Sequence, residues 1–393
     1  MVKIMLNTEI PKNNKVLIYG FGLAGKWLSD NISADIIGFV DTDYKKVGKF
    51  HNDHKVLSIP EAIAISNDDV IIIITVVDIQ DILSIVDKIP HSRWLALGLF
   101  LSDQKVANHS FEDQSEKFIE YSLKAVEDCH KGYFSTDKLF LRSVDVVITE
   151  KCTLKCKDCS NLMQYYETPI NIEYDEIIRD FDELINSVDE IYEIRLIGGE
   201  PFMNKDIYKI IKYLVNSPKV TKLVVYSNAM VPIKLEHKDI VTNPKVVFSL
   251  TDYGPLSKNT KKVTDALDGL GVAYRLHPPE NWTDSGTIFD FKRSVPECKE
   301  LFQECCGKNL LTLTDGKLYR CPFAANADRL KAIPKDEANY VAVNSSSSSI
   351  RDYVSNIDYL PACNFCKGRS FGAPEIIPAQ QAEKPLQYIK LQN

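Results

Sequence analysis

The sequence predicts an α/β protein with two segments of parallel sheet followed by a smaller, cysteine-rich segment. Unbroken apolar strands such as Val70–Ile74 are typical of a parallel sheet that is covered on both faces. Amphipathic helices such as Tyr174–Val188 alternate with these strands. After about residue 298 the alternation gives way to closely spaced cysteines and a short hairpin. The predicted domains are residues 1–105, a helical connector at 106–140, a barrel at 141–297 and an extension at 298–393.

The composition of the 393-residue chain excludes several classes of function. Lys and Arg number 47 and Asp and Glu number 54, so a formal charge of −7 would not attract a nucleic-acid backbone. The longest strongly apolar stretch, Val70–Val77, is far shorter than the roughly 20 residues of a membrane-spanning helix. Residues 1–15 lack the uninterrupted apolar segment of a secretion signal. We therefore expect a cytoplasmic protein without a membrane span and without a nucleic-acid partner.

The first sheet segment predicts a small module of alternating strands and helices. Its expected elements are strands at Lys15–Tyr19, Asp35–Val40, Val70–Val76 and Trp94–Phe100 and a helix at Leu23–Asn31. Residues 102–138 are rich in polar side chains, so we expect a solvent-exposed helical or irregular connector there.

A glycine-rich turn follows the first strand of this module. Gly20, Gly22 and Gly25 have the spacing G-x-G-x-x-G, and Asp41 and Asp43 stand about twenty residues later. Glycines at such a turn let the backbone approach a phosphate, and the acidic residue binds a ribose hydroxyl. The module is too short for a complete dinucleotide-binding fold. A nucleotide or nucleotide-sugar ligand and a purely structural or docking role are therefore both open.

The second segment continues the alternation and predicts an open parallel sheet or a barrel. Its strands are expected at Val144–Thr149, Glu193–Ile197, Lys222–Tyr226, Lys245–Leu250 and Val272–Leu276, and its helices at Tyr174–Val188, Asp206–Val215 and Thr260–Leu270. In repeated βα units the loops that follow the strands lie on one rim, where reactive groups are usually found.

Ten cysteines, none of them before Cys129, indicate metal or iron–sulfur chemistry, because a cytoplasmic chain gains little from disulfides. The first group, Cys152, Cys156 and Cys159, directly follows the strand Val144–Thr149. Three thiolates can bind three irons of a four-iron cluster and leave the fourth iron free to bind a small molecule. Zinc is the alternative, although zinc prefers four ligands and no histidine lies near these cysteines.

The strand after the cysteine loop ends in the tetrapeptide Gly198, Gly199, Glu200 and Pro201. Paired glycines allow a ligand to approach the backbone, and the exposed carbonyls together with Glu200 can hold an ammonium group. The same tetrapeptide can be an ordinary turn, but its position one strand after a C-x3-C-x2-C loop makes it a more specific indication of a ligand site.

Over roughly residues 143–297 the chain resembles the radical S-adenosylmethionine (SAM) enzymes. The resemblance implies a partial (β/α)6 TIM-type barrel in which Cys152, Cys156 and Cys159 bind a [4Fe–4S] cluster and residues 198–201 hold the methionine amine of SAM. It further implies that SAM binds the open iron and is cleaved reductively to methionine and a 5′-deoxyadenosyl radical. A flavodoxin- or ferredoxin-type partner would supply the electron.

Some positions match the family less closely. Asp158 stands where the family often has an aromatic residue before the third cysteine, which weakens packing against adenine and leaves ligation intact. Ser227 and Asn228, and then Ser249 and Asp252, follow strands at places where the family contacts SAM, so they are expected cofactor-binding candidates. The alternative for each is a polar residue that caps a helix or a turn.

The C-terminal extension predicts a hairpin and one further helix. Leu310–Thr314 and Lys317–Arg320 flank the turn Asp315–Gly316, which is a strong hairpin signal. The serine run at residues 345–349 is expected to form a loop or the N-cap of a helix at about Ile350–Val354.

The cysteines of the extension, Cys306, Cys321, Cys363 and Cys366, have the spacing C-x9-G-x4-C with a later C-x2-C. This spacing resembles the twitch form of the SPASM-type extension of some radical SAM enzymes. The resemblance implies a small α+β domain with a second, fully ligated [4Fe–4S] cluster, and a structural zinc with the same ligands is the alternative. Cys305 competes with Cys306 for the first position, and the glycine that follows Cys306 favours Cys306.

Cys298 lies where the predicted barrel passes into the extension. A free thiol near a substrate can return a hydrogen atom to a carbon radical, which is its role in radical epimerases. Cys298 is therefore a candidate hydrogen donor, and a buried, inert cysteine is the alternative.

Three functions follow from these patterns. The first is a radical SAM enzyme that dehydrogenates or epimerises a carbohydrate, aminocyclitol or nucleotide-linked sugar, since the N-terminal module resembles Rossmann-like modules of enzymes for bacterial surface polysaccharides. The second is peptide maturation, for which a winged-helix recognition domain would be more typical than a Rossmann-like one. The third is non-enzymatic electron transfer or sensing by two iron–sulfur sites. We take the first as the leading hypothesis.

Overall fold

The computed structural model describes residues 14–89, 93–101, 116–278, 280–370 and 373–389. The chain divides into two compact units, Met1–Lys138 and Leu139–Asn393. Each unit has its own sheet and its own apolar core. Residues 102–115 of the predicted connector lie outside the described residues.

The first unit contains a mostly parallel sheet with helices packed against it. Its strands are β1 (Lys15–Tyr19), β2 (Asp35–Val40), β3 (Phe50–His51), β4 (His54–Leu57), β5 (Val70–Ile74) and β6 (Arg93–Ala96), and its helices are α1 (Leu23–Asn31), α2 (Ile59–Ile65), α3 (Ile79–Val86) and α4 (Glu116–Phe134). The strand order is β3-β4-β2-β1-β5-β6, and all neighbours pair in parallel except β3 with β4. The predicted bounds of β1, β2 and α1 are confirmed.

Two predictions for this unit are corrected. The fourth predicted strand ends at Ala96, and residues Leu97–Leu99 form a short 3-10 turn, because Gly98 packs against the backbone of α4, where an added Cβ would lie 2.3 Å from the Val126 carbonyl oxygen. Helix α4 is not a solvent-exposed connector. Its apolar face, which includes Ile119 and Val126, is buried in the core of the first unit.

His130 on α4 is buried against the sheet and accepts a hydrogen bond at Nδ1 from the Gly98 N–H at 3.0 Å. Its Nε2 lies 2.8 Å from the Val76 carbonyl oxygen and donates to it. Burial lowers the pKa of His130 to about 4, and the hydrogen bond to Val76 opposes that shift. The imidazole is therefore neutral in the folded unit at pH 7.

We expect the first unit to lose stability as the pH falls from about 6.5 towards 4. In that range His130 is protonated in the unfolded chain but stays neutral in the folded unit. Protonation therefore lowers the free energy of unfolding, by up to about 3 kcal/mol. Above this range the contribution is constant. His130→Gln, which can donate and accept but does not titrate, should flatten the dependence.

The measurement is urea unfolding at several pH values in a Trp282→Phe background, in which fluorescence comes from Trp27 and Trp94 of the first unit alone. If the free energy of unfolding depends on pH equally in the chain with His130 and in His130→Gln, another group controls the acid sensitivity.

The second unit holds the remaining strands and helices. Its strands are β7 (Phe140–Thr149), β8 (Glu190–Gly198), β9 (Val220–Ser227), β10 (Val246–Thr251), β11 (Tyr274–His277), β12 (Trp282–Thr283), β13 (Leu311–Thr314), β14 (Lys317–Tyr319), β15 (Tyr340–Ala342) and β16 (Glu375–Ile376). Its helices are α5 (Tyr174–Ser187), α6 (Ile207–Val215), α7 (Lys238–Val241), α8 (Thr260–Leu270), α9 (Val295–Glu304), α10 (Pro322–Arg329) and α11 (Ser347–Asn356).

The large sheet of this unit has the strand order β11-β10-β9-β8-β7-β13-β14-β15. Strands β7 to β11 are mutually parallel, and α5, α6 and α8 bury their apolar faces on one side of them. The predicted α/β class with parallel sheets is confirmed. The described strands form an open sheet, and its sixth parallel member is β13, from the predicted extension, beside β7.

The predicted hairpin is confirmed as β13 and β14, and it continues the large sheet instead of standing apart from it. Ser346 caps α11 by accepting a hydrogen bond at Oγ from the Ser349 N–H at 3.2 Å, as the serine run indicates. In the part of the chain that the structure describes, no helix combines the length and apolar character of a membrane crossing.

Candidate functional site

The first cysteine group lies in the loop that leaves the carboxyl end of β7. Cys152, Cys156 and Cys159 are half-buried and are electrostatic neighbours of one another. The loop is compact, since the Cys159 N–H donates to the Cys156 carbonyl oxygen at 3.3 Å. Burial raises the pKa of Cys152 to about 12 and that of Cys156 to about 11, and it also raises the pKa of Cys159. The thiols therefore stay protonated unless a bound cation stabilises their thiolates.

The glycine turn at the end of β8 lies directly against the start of this loop. The Gly199 N–H donates to the Thr149 carbonyl oxygen at 3.0 Å, and the Glu200 N–H donates to that of Lys151 at 2.8 Å. A Cβ on Gly198 would lie 2.0 Å from the Thr149 oxygen, and one on Gly199 would lie 2.2 Å from the Lys151 oxygen. The backbone approach that shapes the loop is therefore possible only with glycine at both positions.

Glu200 joins the ends of two strands. Its carboxylate is fully buried and accepts hydrogen bonds from the Ser227 hydroxyl at 3.0 Å, the Asn228 N–H at 2.8 Å and the Phe202 N–H at 3.2 Å. Burial raises the pKa of Glu200 to about 7, although these hydrogen bonds oppose the shift. Three of the protein's own donors already bind the Glu200 carboxylate, and the expectation that Glu200 holds an ammonium group stays a prediction.

The structure brings Asn228 to the cysteine loop, whereas Ser227 lies beside Glu200. The Asn228 side-chain Nδ2 lies 3.8 Å from Cys152 Sγ and 2.9 Å from Thr153 Oγ1. Pro201 is buried and opens the short turn that follows the glycines. Ser249 lies further along the sheet on β10, where its Oγ is 3.3 Å from His277 Nε2.

The sequence reasoning missed two residues of this site. Tyr253, just after β10, has its pKa raised by burial and by the charges of Cys156, Cys159 and Cys152. Gln381 lies near the C-terminus, and its Nε2 is 3.5 Å from Cys156 Sγ. The strand-end position of Tyr253 is a usable sequence signal, whereas nothing in the local sequence around Gln381 indicates this contact.

The three thiols of the first cysteine group suit the [4Fe–4S] cluster that the sequence predicts. Three thiols that interact electrostatically lie beside the glycine turn, where an added Cβ would collide with the backbone of the cysteine loop. Among the described residues, no three His, Cys, Asp or Glu side chains are placed to hold a single metal ion. That finding concerns single-ion sites, whereas a four-iron cluster takes one thiolate per iron.

The second cysteine group is also brought together, and Cys305 lies close to its other members. Cys305 lies close enough to Cys321, Cys363 and Cys366 to add to the rise in their pKa values, and burial is the main cause of that rise. Cys306 is exposed. Because α9 ends at Glu304 and the Gly307 N–H turns back to Cys305 Sγ at 3.3 Å, the structure places Cys305 with the other three. The structure thus favours Cys305, and the choice between Cys305 and Cys306 as a cluster ligand stays a prediction.

Cys298 lies in the first turn of α9 and is buried. Burial raises its pKa, and Arg293 and Glu297 are the charged groups that act on it. This environment is typical of an inert cysteine and gives no support to its candidate role as a hydrogen donor.

The glycine turn of the first unit is held by its own acidic residue. Asp41 Oδ2 accepts a hydrogen bond from the Phe21 N–H at 2.8 Å and an ion pair from Lys46 Nζ at 3.1 Å. Gly25 is required by packing, since a Cβ there would lie 2.0 Å from the Gly20 carbonyl oxygen, whereas Gly22 faces open space. Asp41 therefore supports the turn, and the turn remains a prediction as a ligand site.

The comparison with known families matches the region that carries the first cysteine group. Residues 146–257 match the family model described as the radical SAM superfamily. The resemblance drawn from the cysteine loop and the glycine turn is thereby confirmed for residues 146–257. The twitch-type extension remains a prediction.

Several solved structures are similar to this chain. SuiB from Streptococcus suis bound to S-adenosylmethionine has 16% identity and a TM-score of 0.30 over 40% of this chain and 39% of that one. BtrN in complex with AdoMet and 2-DOIA has 14% identity and a TM-score of 0.39 over 56% and 83%. Polyhistidine-tagged anSMEcpe with bound AdoMet has 12% identity and a TM-score of 0.36, over 56% of this chain and 81% of that one. The similarity thus spans well under half of SuiB. No curated protein sequence matches the chain.

We expect Gly199→Ala to prevent the first cysteine group from holding its cluster, because the added Cβ collides with the Lys151 carbonyl oxygen and displaces the loop. Iron and labile sulfide are measured after anaerobic reconstitution. Gly269→Ala on α8, where a Cβ meets no atom within 4 Å, is the matched control and should bind iron normally. Full iron content in Gly199→Ala would contradict the proposed role of the glycine turn at Gly198 and Gly199.

Proposed function

We propose that the protein is an enzyme that cleaves SAM reductively and takes hydrogen from a carbohydrate, aminocyclitol or nucleotide-linked sugar, in bacterial polysaccharide biosynthesis. The observation that carries the proposal is the close contact between the Gly198–Gly199 turn and the start of the Cys152 loop inside a radical SAM domain. This contact places the Cys152 sulfur donor and the backbone of the glycine turn at one strand-end site.

In this proposal Cys152, Cys156 and Cys159 hold a [4Fe–4S] cluster, and the backbone of Gly198 and Gly199 receives the methionine amine of SAM. When bound, the cluster supplies one electron to SAM and so makes available a carbon radical that can abstract hydrogen. The chain's own residues hold the loop in place. Glu200 fixes the end of β9, and Asn228 contacts both the loop and Cys152.

The face of the large sheet opposite the helices supports a polar substrate. Asp145 and Arg195 are neighbours on β7 and β8, both are buried, and Arg195 Nε lies 2.5 Å from Asp145 Oδ1. Because side chains alternate along a strand, they face away from the apolar core that holds Val144 and Leu196.

The same face continues with Tyr226 and Ser249, which are register partners on β9 and β10. The Arg195 guanidinium lies 5.9 Å from the centre of the Tyr226 ring. Buried charged and hydroxyl groups are costly unless they meet water or hydrogen-bonding partners. A hydroxylated substrate suits this wall better than an apolar one, and dehydrogenation or epimerisation of an alcohol carbon is the reaction class that we propose.

The extension is proposed to bind a second [4Fe–4S] cluster through Cys305, Cys321, Cys363 and Cys366. Their mutual proximity and burial support this assignment. The first unit is proposed as a nucleotide-sugar or docking module, and a flavodoxin- or ferredoxin-type protein as the reductant.

We expect the reconstituted, reduced protein to convert SAM to methionine and 5′-deoxyadenosine. The Cys152→Ala/Cys156→Ala/Cys159→Ala variant should form neither product, because it cannot hold the cluster. Cys129→Ala, which removes a buried cysteine of the first unit, is the matched control and should retain cleavage. Products are quantified by chromatography with mass detection. An intact, reducible cluster that leaves SAM uncleaved would refute the enzymatic proposal.

The two adjacent cysteines of the extension should behave differently. Cys305→Ala should lower the iron content from about eight to about four per chain, because the second cluster loses a ligand. Cys306→Ala should leave it near eight, since that side chain is exposed. Iron analysis and Mössbauer spectroscopy measure both. The reverse pattern would return the ligand to Cys306.

A further inference from the structure

A C-terminal strap, residues 375–388, crosses the cysteine loop of the second unit. At one end β16 pairs antiparallel with β12, where Ile376 lies opposite Trp282. At the other end the Leu386 N–H donates to the Gln164 carbonyl oxygen at 2.8 Å, and the Tyr388 hydroxyl donates to that of Leu330 at 2.9 Å. The strap is therefore tied down on both sides of the loop.

The middle of the strap is hydrogen-bonded to the residues on either side of Cys156. The Lys157 N–H donates to the Gln380 carbonyl oxygen at 2.7 Å, and the Ala382 N–H donates to that of Lys155 at 2.7 Å. These two bonds form an antiparallel bridge in which Gln381 lies opposite Cys156. The position of the Cys156 backbone thus depends on a segment more than 220 residues away in the chain.

The Gln381 side chain adds a contact to the sulfur. Its Oε1 accepts from the Lys155 N–H at 2.8 Å, and its Nε2 donates to the Ala379 carbonyl oxygen at 2.7 Å. Because a backbone N–H needs an acceptor and a carbonyl oxygen needs a donor, these partners settle which end of the amide is which. The amide nitrogen therefore faces Cys156 Sγ, 3.5 Å away, as a hydrogen-bond donor.

A hydrogen bond to a cluster thiolate draws charge from the sulfur and stabilises the reduced cluster. We propose that Gln381 is a positioning residue that raises the reduction potential of the cluster on the first cysteine group, by donating to Cys156 from the C-terminal strap. This inference rests on the proposed function, since it assumes that Cys156 is a cluster ligand.

The test is a redox titration of the reconstituted full chain. The cluster of the first cysteine group is monitored by electron paramagnetic resonance, and its signal is identified as the one that changes when SAM is added. Gln381→Glu keeps the acceptor for Lys155 and removes the donor, and Gln381→Leu removes both without adding charge. Both variants should shift the midpoint potential to more negative values. Gln380→Ala is the matched control, because Gln380 binds the loop through its backbone oxygen, and its potential should be unchanged.

Two results would overturn the inference. One is an unchanged potential in both Gln381 variants, and the other is a shift in Gln381→Glu alone, which a new negative charge explains without a hydrogen bond. Iron content serves as the second readout. Loss of iron in both Gln381 variants but not in Gln380→Ala would support the positioning role, whereas equal loss in Gln380→Ala would overturn it.

Failure of this inference is separate from failure of the proposed function. A protein that cleaves SAM but shows the same potential with and without the Gln381 amide would lose only the role of Gln381. A protein whose cluster signal does not respond to SAM would lose the proposed function itself.

Discussion

The contact between the end of β8 and the start of the cysteine loop is the constraint on which the site depends. Gly198 and Gly199 let two backbones come as close as hydrogen bonding allows, so the loop leaves β7 in a defined direction. Asn204 reinforces the contact from the next turn, since its Nδ2 donates to the Ile148 carbonyl oxygen at 2.6 Å. The Gly199 and Glu200 bonds run between backbone atoms and Asn204 adds a side-chain bond, so the loop's shape follows from the sheet register and from Asn204.

The parallel strands β7–β11 and the C-terminal extension are parts of one structure in the second unit. The Glu150 carboxylate, at the start of the cysteine loop, accepts from Arg329 of α10 at 2.7 Å, and both side chains are buried. Removing one partner of a buried ion pair typically costs about 3–5 kcal/mol, because the other charge is left unpaired. The ion pair therefore couples the geometry of the first cysteine loop to that of the extension.

A second cation connects the two cysteine groups electrostatically. Arg369 acts to lower the pKa of Cys159 in the first group and of Cys321 and Cys366 in the second, against the larger effect of burial. A single guanidinium that acts on both groups favours thiolates in each of them. The two proposed clusters would consequently share part of their electrostatic environment.

The sequence by itself determined the alternation of strands and helices, because apolar periodicity and glycine turns are local properties. It also located the first cysteine group and the Gly198–Pro201 turn, whose short spacing keeps them on adjacent strand ends. Tertiary structure alone brought Cys305 close to the second group and left Cys306 exposed, since α9 ends at Glu304, just before this pair. It alone buried α4 in the first unit, aligned β13 with β7 and brought Gln381 to Cys156. These contacts join residues far apart in the chain, and no local pattern records which distant backbone will supply a hydrogen bond.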